Sequence, residues 1–320
     1  MTDAPTTTTT DVLEGVDLTG RTVLVTGATT GIGKETARAL AAAGASVVLT
    51  ARSAEKGEAA VADLAEQVPG GDLTYEVLEL GSLASVRAFT DRFAATHDRL
   101  DVLIGNAGIM AVPFGRTDDG FELQFGTNHL GHFVLVGRLL PLLLASAPAR
   151  IVLLSSGGHA ASDIHWDDPN FEAHDYNKMD AYGQSKTANI LHAVELDRRY
   201  GPLGVHAYAV HPGMVATELG RNFTPDVFED LKARAAANPA GTGKLPPVVG
   251  TDVGAATSVW AAVAPELQGH GGAYLADCEV AEARAYAVDP EAARRLWALS
   301  EELVGETFPE PEAGSAPGPG

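Results

Sequence analysis

Residues 22–43 read TVLVTGATTGIGKETARALAAA and set the architecture expected for this chain. The β-branched run Thr22–Thr26 predicts a strand, and the alanine-rich segment Lys34–Ala43 predicts a helix that follows at once. Between them stand three glycines in the pattern Gly-x-x-x-Gly-x-Gly. Such glycines let the backbone approach a pyrophosphate, whose charge the helix N-terminus stabilises. The stretch therefore predicts a dinucleotide site, and the alternative is a tight turn that only requires positive φ.

Further strand-like runs alternate with helical segments through the rest of the core. Because these runs are continuously apolar, we expect a parallel sheet that is buried on both faces. The predicted fold is a single-domain, doubly wound (Rossmann) α/β sheet of about seven strands with helices on both faces. The runs after the first are Ser46–Thr50, Thr74–Leu78, Val102–Gly105, Arg150–Ser155, Val205–Val210 and one near Ala273–Leu275.

The composition is that of a soluble globular protein: 45% of the 320 residues are hydrophobic and 20% are charged, which argues against disordered and collagen-like chains. With 22 Lys and Arg against 42 Asp and Glu, the net charge is −20, so nucleic acids and anionic membranes are not expected as partners of the surface as a whole. A single cysteine, Cys278, excludes internal disulfides and cysteine-based zinc clusters and fits a cytoplasmic location.

The two ends of the chain are predicted to lie outside the core. We expect a flexible N-terminal tail over 1–17, one oxidoreductase domain over 18–305 and a disordered C-terminal tail over 306–320. The start lacks the features of a secretory signal. The most apolar stretch, Phe133–Ala145, is interrupted by Arg138 and predicts a buried helix, so no membrane span is expected. A homo-oligomer is a possibility.

The end of the second strand indicates which cofactor is bound. An NAD site usually carries an acidic residue about 20 residues beyond the glycines, to bind the ribose hydroxyls. Here Arg52 stands instead, and its planar donor fork suits a 2′-phosphate. Lys34 could add positive charge nearby. NADP(H) is therefore favoured over NAD(H); the alternatives are a solvated loop arginine and a solvated lysine.

Taken together, the motifs resemble the short-chain dehydrogenase/reductase family over nearly the whole core. They are the glycine turn, Asn106-Ala107-Gly108, Asn128 within 127–133, Ser155-Ser156, the Tyr182/Lys186 pair, and His211-Pro212-Gly213 with Thr217. Residues 31–37, 82–87, 128–133 and 184–191 look like the branch of the retinol-dehydrogenase-like and light-dependent protochlorophyllide-reductase-like enzymes. The long gap from Ser156 to Tyr182 (182 − 156 = 26 residues) also resembles this branch, which implies a lipophilic substrate.

The resemblance implies a set of site residues. The catalytic set is Asn128, Ser156, Tyr182 and Lys186. The cofactor-binding set is Gly27, Thr29, Thr30, Gly31, Ile32, Gly33, Arg52, Glu79, Leu80, Asn106, Ala107, Gly108, Tyr182, Lys186, Pro212, Gly213, Val215 and Thr217.

The chemistry of the pair can be argued from its spacing. Tyr182 and Lys186 are four residues apart, so on a helix the ammonium group would stabilise the phenolate and lower the tyrosine pKa. Tyr182 would then exchange a proton with the substrate oxygen, while Ser156 hydrogen-bonds that oxygen. The resemblance implies that Asn128 anchors a water that links Lys186 to solvent. The structural alternatives are a packing pair, a strand-end hydroxyl and a helix cap.

Several other features need an interpretation. His129 and His132 are three apart, but the pattern places no third ligand, so we interpret them as core or interface histidines and predict no metal site. Two positions depart from the family pattern: Glu79 stands where an Asp would take the adenine amino group, and Gly105 replaces an Asn expected near the adenine ribose. Both changes would affect cofactor affinity more than catalysis.

The segment 218–249 follows Thr217 directly and is rich in Gly and Pro, so we predict a substrate lid there. Its apolar side chains, Phe223, Val227, Phe228 and Leu231, would line a hydrophobic pocket. The alternative is a surface loop that covers the sheet edge.

The function favoured is an NADP(H)-dependent oxidoreductase that transfers a hydride between the nicotinamide and a carbonyl or alcohol, with a small-molecule substrate as its partner. Two other classes stay open. One is a non-catalytic NADP(H)-binding regulatory protein on the same fold, and the other is an acidic interaction scaffold with a vestigial site. The catalytic residues favour the enzyme because none of them is lost.

Overall fold

A computed structural model describes residues 6–222, 224–237 and 245–308. Its strands are β1 Thr22–Val25, β2 Ser46–Ala51, β3 Leu73–Val77, β4 Val102–Gly105, β5 Ala149–Leu154, β6 Val205–His211, β7 Met214–Val215, β8 Val248–Val249, β9 Tyr274–Ala276 and β10 Glu279–Val280. Eight of them form one sheet, and β7 and β8 form a separate parallel pair.

Helices pack on both faces of the sheet. They are α1 Thr9–Val12, α2 Gly31–Ala42, α3 Ala54–Gln67, α4 Leu83–Thr96, α5 Leu123–Phe125, α6 Gly131–Ala145, α7 Lys178–Tyr200, α8 Pro225–Ala237, α9 Thr251–Val263 and α10 Pro290–Val304. A π-helical segment, Gly126–Leu130, joins α5 to α6. Leu24 of β1 packs in a core with α4, α6, α7 and α10, whereas Val23 and Val25 pack in a second core with α2, α3 and α9. Burial on both faces explains why the strands are apolar throughout.

The strand order in the large sheet is β10-β9-β6-β5-β4-β1-β2-β3. All neighbours are parallel except β9 and β10. Because β1 pairs with both β2 and β4, the chain winds in opposite directions on its two sides, and a crevice opens at the carboxyl end of β1. The predicted doubly wound sheet is thus confirmed.

The number of strands differs from the prediction by one. The eighth strand, β10, is only two residues long and returns antiparallel to β9 after Asp277 and Cys278, both of which have positive φ. Two residues are too short to show an alternating or apolar pattern, so this strand could not be recognised in the sequence.

The prediction of a flexible tail over 1–17 is wrong in part. Thr8 and Asp11 form a capping box that starts α1, and the fully buried Thr9 donates a hydrogen bond of 2.6 Å to Glu35 of α2. The threonine run therefore supplies a helix cap and an anchor to the core. Residues 1–5 lie outside the described part of the chain.

The predicted disordered tail also begins too early. Glu306 forms ion pairs with Arg87 and Arg138 at 3.0 and 2.6 Å, and Phe308 is buried against α6. Gly137 makes the space, since a Cβ there would lie 2.5 Å from the Phe308 ring. Residues 309–320 lie outside the described range.

The apolar stretch of α5 and α6 is a helix of the core. Among the described residues, Leu123–Ala145 is the one stretch long and apolar enough to cross a membrane, and 72% of its most apolar window is buried inside the fold. Packing against the sheet accounts for its composition. The expectation that no segment spans a membrane stays a prediction, and the homo-oligomer stays an open alternative.

Candidate active site

The glycine turn lies at the crevice where the strand order reverses. Gly27 has a φ of +62°, and a Cβ at this position would lie 2.8 Å from Ala107 Cβ. A Cβ on Gly33 would lie 2.7 Å from the carbonyl oxygen of Gly27. Larger residues would therefore displace the turn, and α2 begins at Gly31 with its N-terminus at the crevice. The turn has the space and the amide donors that a pyrophosphate needs.

The loop after β4 is tied to this turn by hydrogen bonds. Asn106 Nδ2 donates to the carbonyl oxygens of Thr26 and Gly27 at 2.8 and 3.2 Å. The Ala107 amide donates to Thr26 Oγ1 at 2.9 Å. Asn106 therefore holds the two loops side by side as well as lining the crevice.

All the predicted cofactor residues line one cleft of about 1440 Å³. Ser156, Tyr182 and Lys186 line the same cleft, whereas Asn128 lies behind it and is fully buried. The cleft thus joins the glycine turn to the proposed reacting groups.

Ser156 and Tyr182 lie next to each other on the wall of the cleft. Ser156 follows β5, and its Oγ accepts the Gly158 amide at 3.0 Å, which leaves the hydroxyl hydrogen free to donate. Tyr182 lies near the start of α7, which Asn177 caps through the amides of Met179 and Asp180. Burial raises the pKa of Tyr182 to about 12, although a hydrogen bond with Ser156 acts in the opposite direction.

The predicted lowering of the tyrosine pKa by Lys186 is not seen. Lys186 Nζ lies 5.6 Å from the centre of the Tyr182 ring and donates to the Leu154 carbonyl oxygen at 2.9 Å. Burial lowers the pKa of Lys186 itself to about 8. Desolvation of both groups therefore outweighs the attraction expected from the helical spacing.

Asn128 connects the loop after β4 to α7. Its Oδ1 accepts the Ile109 amide at 2.8 Å, and its Nδ2 donates to the Ile109 carbonyl at 3.0 Å and to Ser185 Oγ at 2.9 Å. Both amide hydrogens are therefore used within the protein. The proposed water link to Lys186 stays a prediction.

Positive charge collects at the other end of the cleft. Arg52 is exposed just after β2 and lines the cleft. Lys34 also lines it but forms an ion pair with Asp63. Lys56, in the first turn of α3, is a lining residue that the sequence analysis missed. Its position four residues after Arg52 at the start of a helix was the available signal.

The two departures from the family pattern have different consequences. Glu79 lines the cleft beside Leu80, and its Oε1 accepts the Gly81 amide at 3.0 Å. Gly105 was predicted to remove a side chain near the adenine ribose, and the structure gives this position a different surrounding. A Cβ on Gly105 would point into the core, 2.9 Å from Leu153 Cδ2 and 3.1 Å from His132 Cδ2.

The loop after β6 closes the cleft on the side of Ser156. Pro212, Gly213, Val215 and Thr217 all line it, as predicted positions. His211 also lines the cleft and accepts the Gly157 amide at Nδ1, at 3.1 Å. Burial lowers the pKa of His211 to about 4. The sequence analysis gave His211 only as part of the His211-Pro212-Gly213 motif and did not predict it as a site residue.

The segment predicted as a lid packs over Tyr182, but not with all the side chains expected. Val227 of α8 is 3% exposed and packs with Ala111, Met179 and Tyr182 behind the cleft wall, so the prediction that it lines the pocket is wrong. Phe228 is 42% exposed, with Lys232 Nζ 4.6 Å from its ring centre, so the prediction that it lines the pocket is wrong. The helix turns one face inward, and adjacent residues point apart. Phe223 and residues 238–244 lie outside the described residues.

Ion pairs join α8 to the start of α7. Arg234 contacts Asp180 at 2.8 Å, and Lys178 contacts Asp226 at 3.5 Å. The wall of the cleft near Tyr182 is apolar, and the sequence analysis did not identify its members outside α8. They are Met110, Val112, Met179 and Leu219, and the predicted Leu231 of α8 lines the cleft with them.

The two histidines next to Asn128 are core residues. His129 is fully buried and His132 is 1% exposed. Within the described ranges, no group of three or more His, Cys, Asp or Glu side chains is placed to hold a metal ion.

Comparisons with known proteins agree with this geometry. The family model "short chain dehydrogenase" matches residues 21–227. Human retinol dehydrogenase 14 is 42% identical over 299 residues, which cover 89% of this chain and 87% of that protein. An uncharacterised protein of Mycobacterium paratuberculosis has a similar structure, with a TM-score of 0.73 and 35% identity over 95% of this chain and 99% of that one.

A further solved structure carries a cofactor. The short chain dehydrogenase of Burkholderia cenocepacia J2315 in complex with NADP has a TM-score of 0.61 and 27% identity, over 81% of this chain and 96% of that one. These matches confirm the resemblance noted in the sequence. The chain belongs to the short-chain dehydrogenase/reductase family, in its retinol-dehydrogenase-like branch, and is an oxidoreductase that acts on CH–OH and C=O groups.

Proposed function

We propose that the protein uses NADP(H) to interconvert a lipophilic aldehyde or ketone and its alcohol, with Tyr182 as the general acid and base. The observation that carries this proposal is the single cleft that joins the glycine turn to Ser156, Tyr182 and Lys186. The cofactor, when bound, supplies or accepts the hydride. The protein's own residues bind the substrate and move the proton.

The proton chemistry follows from the state of Tyr182. Because its pKa is about 12, the phenol is protonated at neutral pH and can donate to a carbonyl oxygen in the reduction. The Ser156 hydroxyl would donate a hydrogen bond to the same oxygen as negative charge develops. In the oxidation Tyr182 acts as the base and takes the proton back from the alcohol oxygen.

The preference for NADP(H) is supported by Arg52 and Lys56. Both are exposed cations on the cleft wall beyond β2, and a 2′-phosphate would give them an anionic partner. Lys34 contributes less because Asp63 already neutralises it. The NADP complex of the Burkholderia relative supports the same preference.

The substrate class is supported by the apolar wall. Met110, Met179 and Leu231 line the cleft near Tyr182, and Val227 of α8 packs with Met179 and Tyr182. Such side chains would bury a long or ring-bearing hydrocarbon chain. The name of the human relative makes the aldehyde of retinol the first compound to test.

The test uses the full-length protein with NADPH or NADH and a panel of aldehydes from short alkyl chains to retinaldehyde. We expect alcohol formation with NADPH, and higher kcat/KM for the longer aldehydes. Chromatography of the product measures turnover, and titration of cofactor fluorescence measures binding. Binding of NADPH without turnover of any aldehyde or alcohol would support the regulatory alternative and overturn the proposal.

A further inference from the structure

A buried histidine connects the glycine turn to the segment that carries Asn128. His132 is 1% exposed, in the first turn of α6. Its Nε2 lies 2.9 Å from Thr26 Oγ1, and its Nδ1 lies 2.9 Å from the carbonyl oxygen of Asn128. Thr26 in turn accepts the Ala107 amide, also at 2.9 Å. The contacts form a continuous chain from the loop after β4 to the π-helical segment.

The Asn128 carbonyl and the neutral state of the ring together fix the direction of both His132 hydrogen bonds, and the Thr26 hydroxyl also lies 3.4 Å from the Ile104 carbonyl oxygen. The Asn128 carbonyl can only accept, so His132 Nδ1 must carry a hydrogen. Burial lowers the pKa of His132 to about 4, against a raising effect of the Asn128 bond, so the ring is neutral at neutral pH. Nε2 is then an acceptor and takes the Thr26 hydroxyl hydrogen. All the polar atoms are satisfied in one arrangement.

The π-helical segment Gly126–Leu130, where this chain of hydrogen bonds ends, contacts both the cleft and the residues behind it. Thr127, beside Asn128, lines the cleft. Asn128 holds the Ile109 backbone and Ser185, the residue before Lys186. The Gly131 amide bonds to the Gly126 carbonyl in the wide π-helical turn, a geometry that is less stable than an α-helix and frequent at functional sites. A side chain that ties the Asn128 carbonyl would help to hold that turn.

We propose that His132 is a positioning residue. By its hydrogen bonds to the Asn128 carbonyl oxygen and to Thr26, it keeps the side-chain amide of Asn128 bonded to Ile109 and Ser185 when a cofactor occupies the glycine turn. Only the expected effect of His132 on kcat depends on the proposed function; its effect on the position of Asn128 does not. His132 does not line the cleft, so it acts through Asn128 and not on the substrate.

The protein offers a matched control three residues away, at His129. His129 is also fully buried, and its Nε2 lies 2.9 Å from Ser300 Oγ of α10. Among the described residues, its hydrogen-bond partner is Ser300 and not Thr26 or Asn128. Replacing His129 removes a buried hydrogen bond, as replacing His132 does, but leaves the hydrogen bonds between Thr26, His132 and Asn128 intact.

The first experiment compares His132→Leu with His129→Leu. We expect both to lower the melting temperature, but only His132→Leu to lower kcat, by roughly tenfold or more, with little change in KM. Thr26→Val should lose more activity than Thr26→Ser, which keeps the hydroxyl. Thr26 and His132 belong to the same chain of hydrogen bonds. The kcat of the double variant Thr26→Val/His132→Leu should therefore be only slightly lower than that of the less active single variant. Equal kcat in the two histidine variants, or additive losses in the double variant, would overturn the proposal.

The second experiment does not depend on turnover. Hydrogen exchange of the Ile109 amide, measured with NADPH present, reports whether Asn128 keeps its place. We expect the Ile109 amide to exchange faster in His132→Leu than in His129→Leu. If His132→Leu does not fold, the comparison uses Thr26→Val and Thr26→Ser, and exchange should be faster in Thr26→Val. Unchanged Ile109 exchange would overturn the proposal. A wild-type protein that reduces no carbonyl would overturn the proposed function alone.

Discussion

At the scale of single residues, the proton on Tyr182 is the feature on which the proposed chemistry depends. Replacing Tyr182 by Phe removes that proton but keeps the ring that packs beside α8. We expect kcat to fall by about 10²–10⁴-fold, the usual effect of losing a general acid, while the Kd for NADPH changes by no more than a few-fold. Steady-state kinetics and a cofactor titration measure the two quantities.

The control for this variant is Tyr75→Phe. Tyr75 lies on β3, outside the cleft, and donates to Glu58 at 2.9 Å. It should retain normal turnover. Near-normal kcat in Tyr182→Phe, with a confirmed substrate, would rule out Tyr182 as the acid.

The charge on Arg52 makes a second prediction at this scale. If its guanidinium bonds the 2′-phosphate, Arg52→Ala should weaken NADPH by roughly 10- to 100-fold and leave NADH almost unchanged. Lys56→Ala should act in the same direction. Lys34→Ala should have a smaller effect because Lys34 is paired with Asp63. Isothermal titration with both cofactors decides the point: equal weakening of NADH would mean that Arg52 supports the fold.

At the scale of elements, α8 determines the shape of the substrate half of the cleft. Val227→Ala removes two methyl groups from the contact with Met179 and Tyr182. We expect KM for long aldehydes to rise by up to roughly tenfold, and KM for short ones to change little. Kinetics across a chain-length series provide the measurement.

The neighbouring Phe228 serves as the matched control for this prediction. It is 42% exposed, and Phe228→Ala should leave KM unchanged for every chain length. If instead Phe228→Ala raised KM and Val227→Ala did not, α8 would have to bind substrate with its other face. The lid prediction for 218–249 would then need a different register.

At the scale of the whole molecule, buried neutral histidines make stability depend on pH. Burial lowers the pKa of His192 well below 6.5, with His129 and His132 adding to the effect. Burial likewise lowers the pKa of His129 to about 3 and of His132 to about 4. The unfolded chain binds these protons below pH 6.5 and the folded chain does not, so the free energy of unfolding falls as the pH falls from about 6.5 toward 4.

A variant isolates the contribution of one histidine. Within the described part of the chain, both ring nitrogens of His192 lack a hydrogen-bond partner, and the ring packs against Phe133 and Trp297. His192→Phe should therefore make the decline below pH 6.5 shallower, by up to about 1.4 kcal/mol per pH unit for one proton. Urea unfolding at several pH values measures the slope. An unchanged slope would mean that His192 is protonated in the folded protein.

The sequence by itself determined the order of elements and the position of the crevice. Apolar runs such as Val102–Gly105 and glycines such as Gly27 obey local rules of burial and backbone conformation, so their roles can be read without knowing their neighbours. The motifs around Ser156, Tyr182 and Lys186 indicated the family for the same reason. Each motif places a few residues at a fixed spacing on one element.

Only the tertiary structure decided how distant elements meet. The pKa of Tyr182 depends on burial by several segments, and the direction in which a Gly105 side chain would point depends on Leu153 and His132. The face that α8 turns toward Tyr182, the anchoring of Phe308 at Gly137 and the hydrogen bond from Thr9 to Glu35 are also contacts between residues far apart in the chain. Local periodicity carries no information on such contacts, because their free energy comes from desolvation and packing against partners that folding brings together.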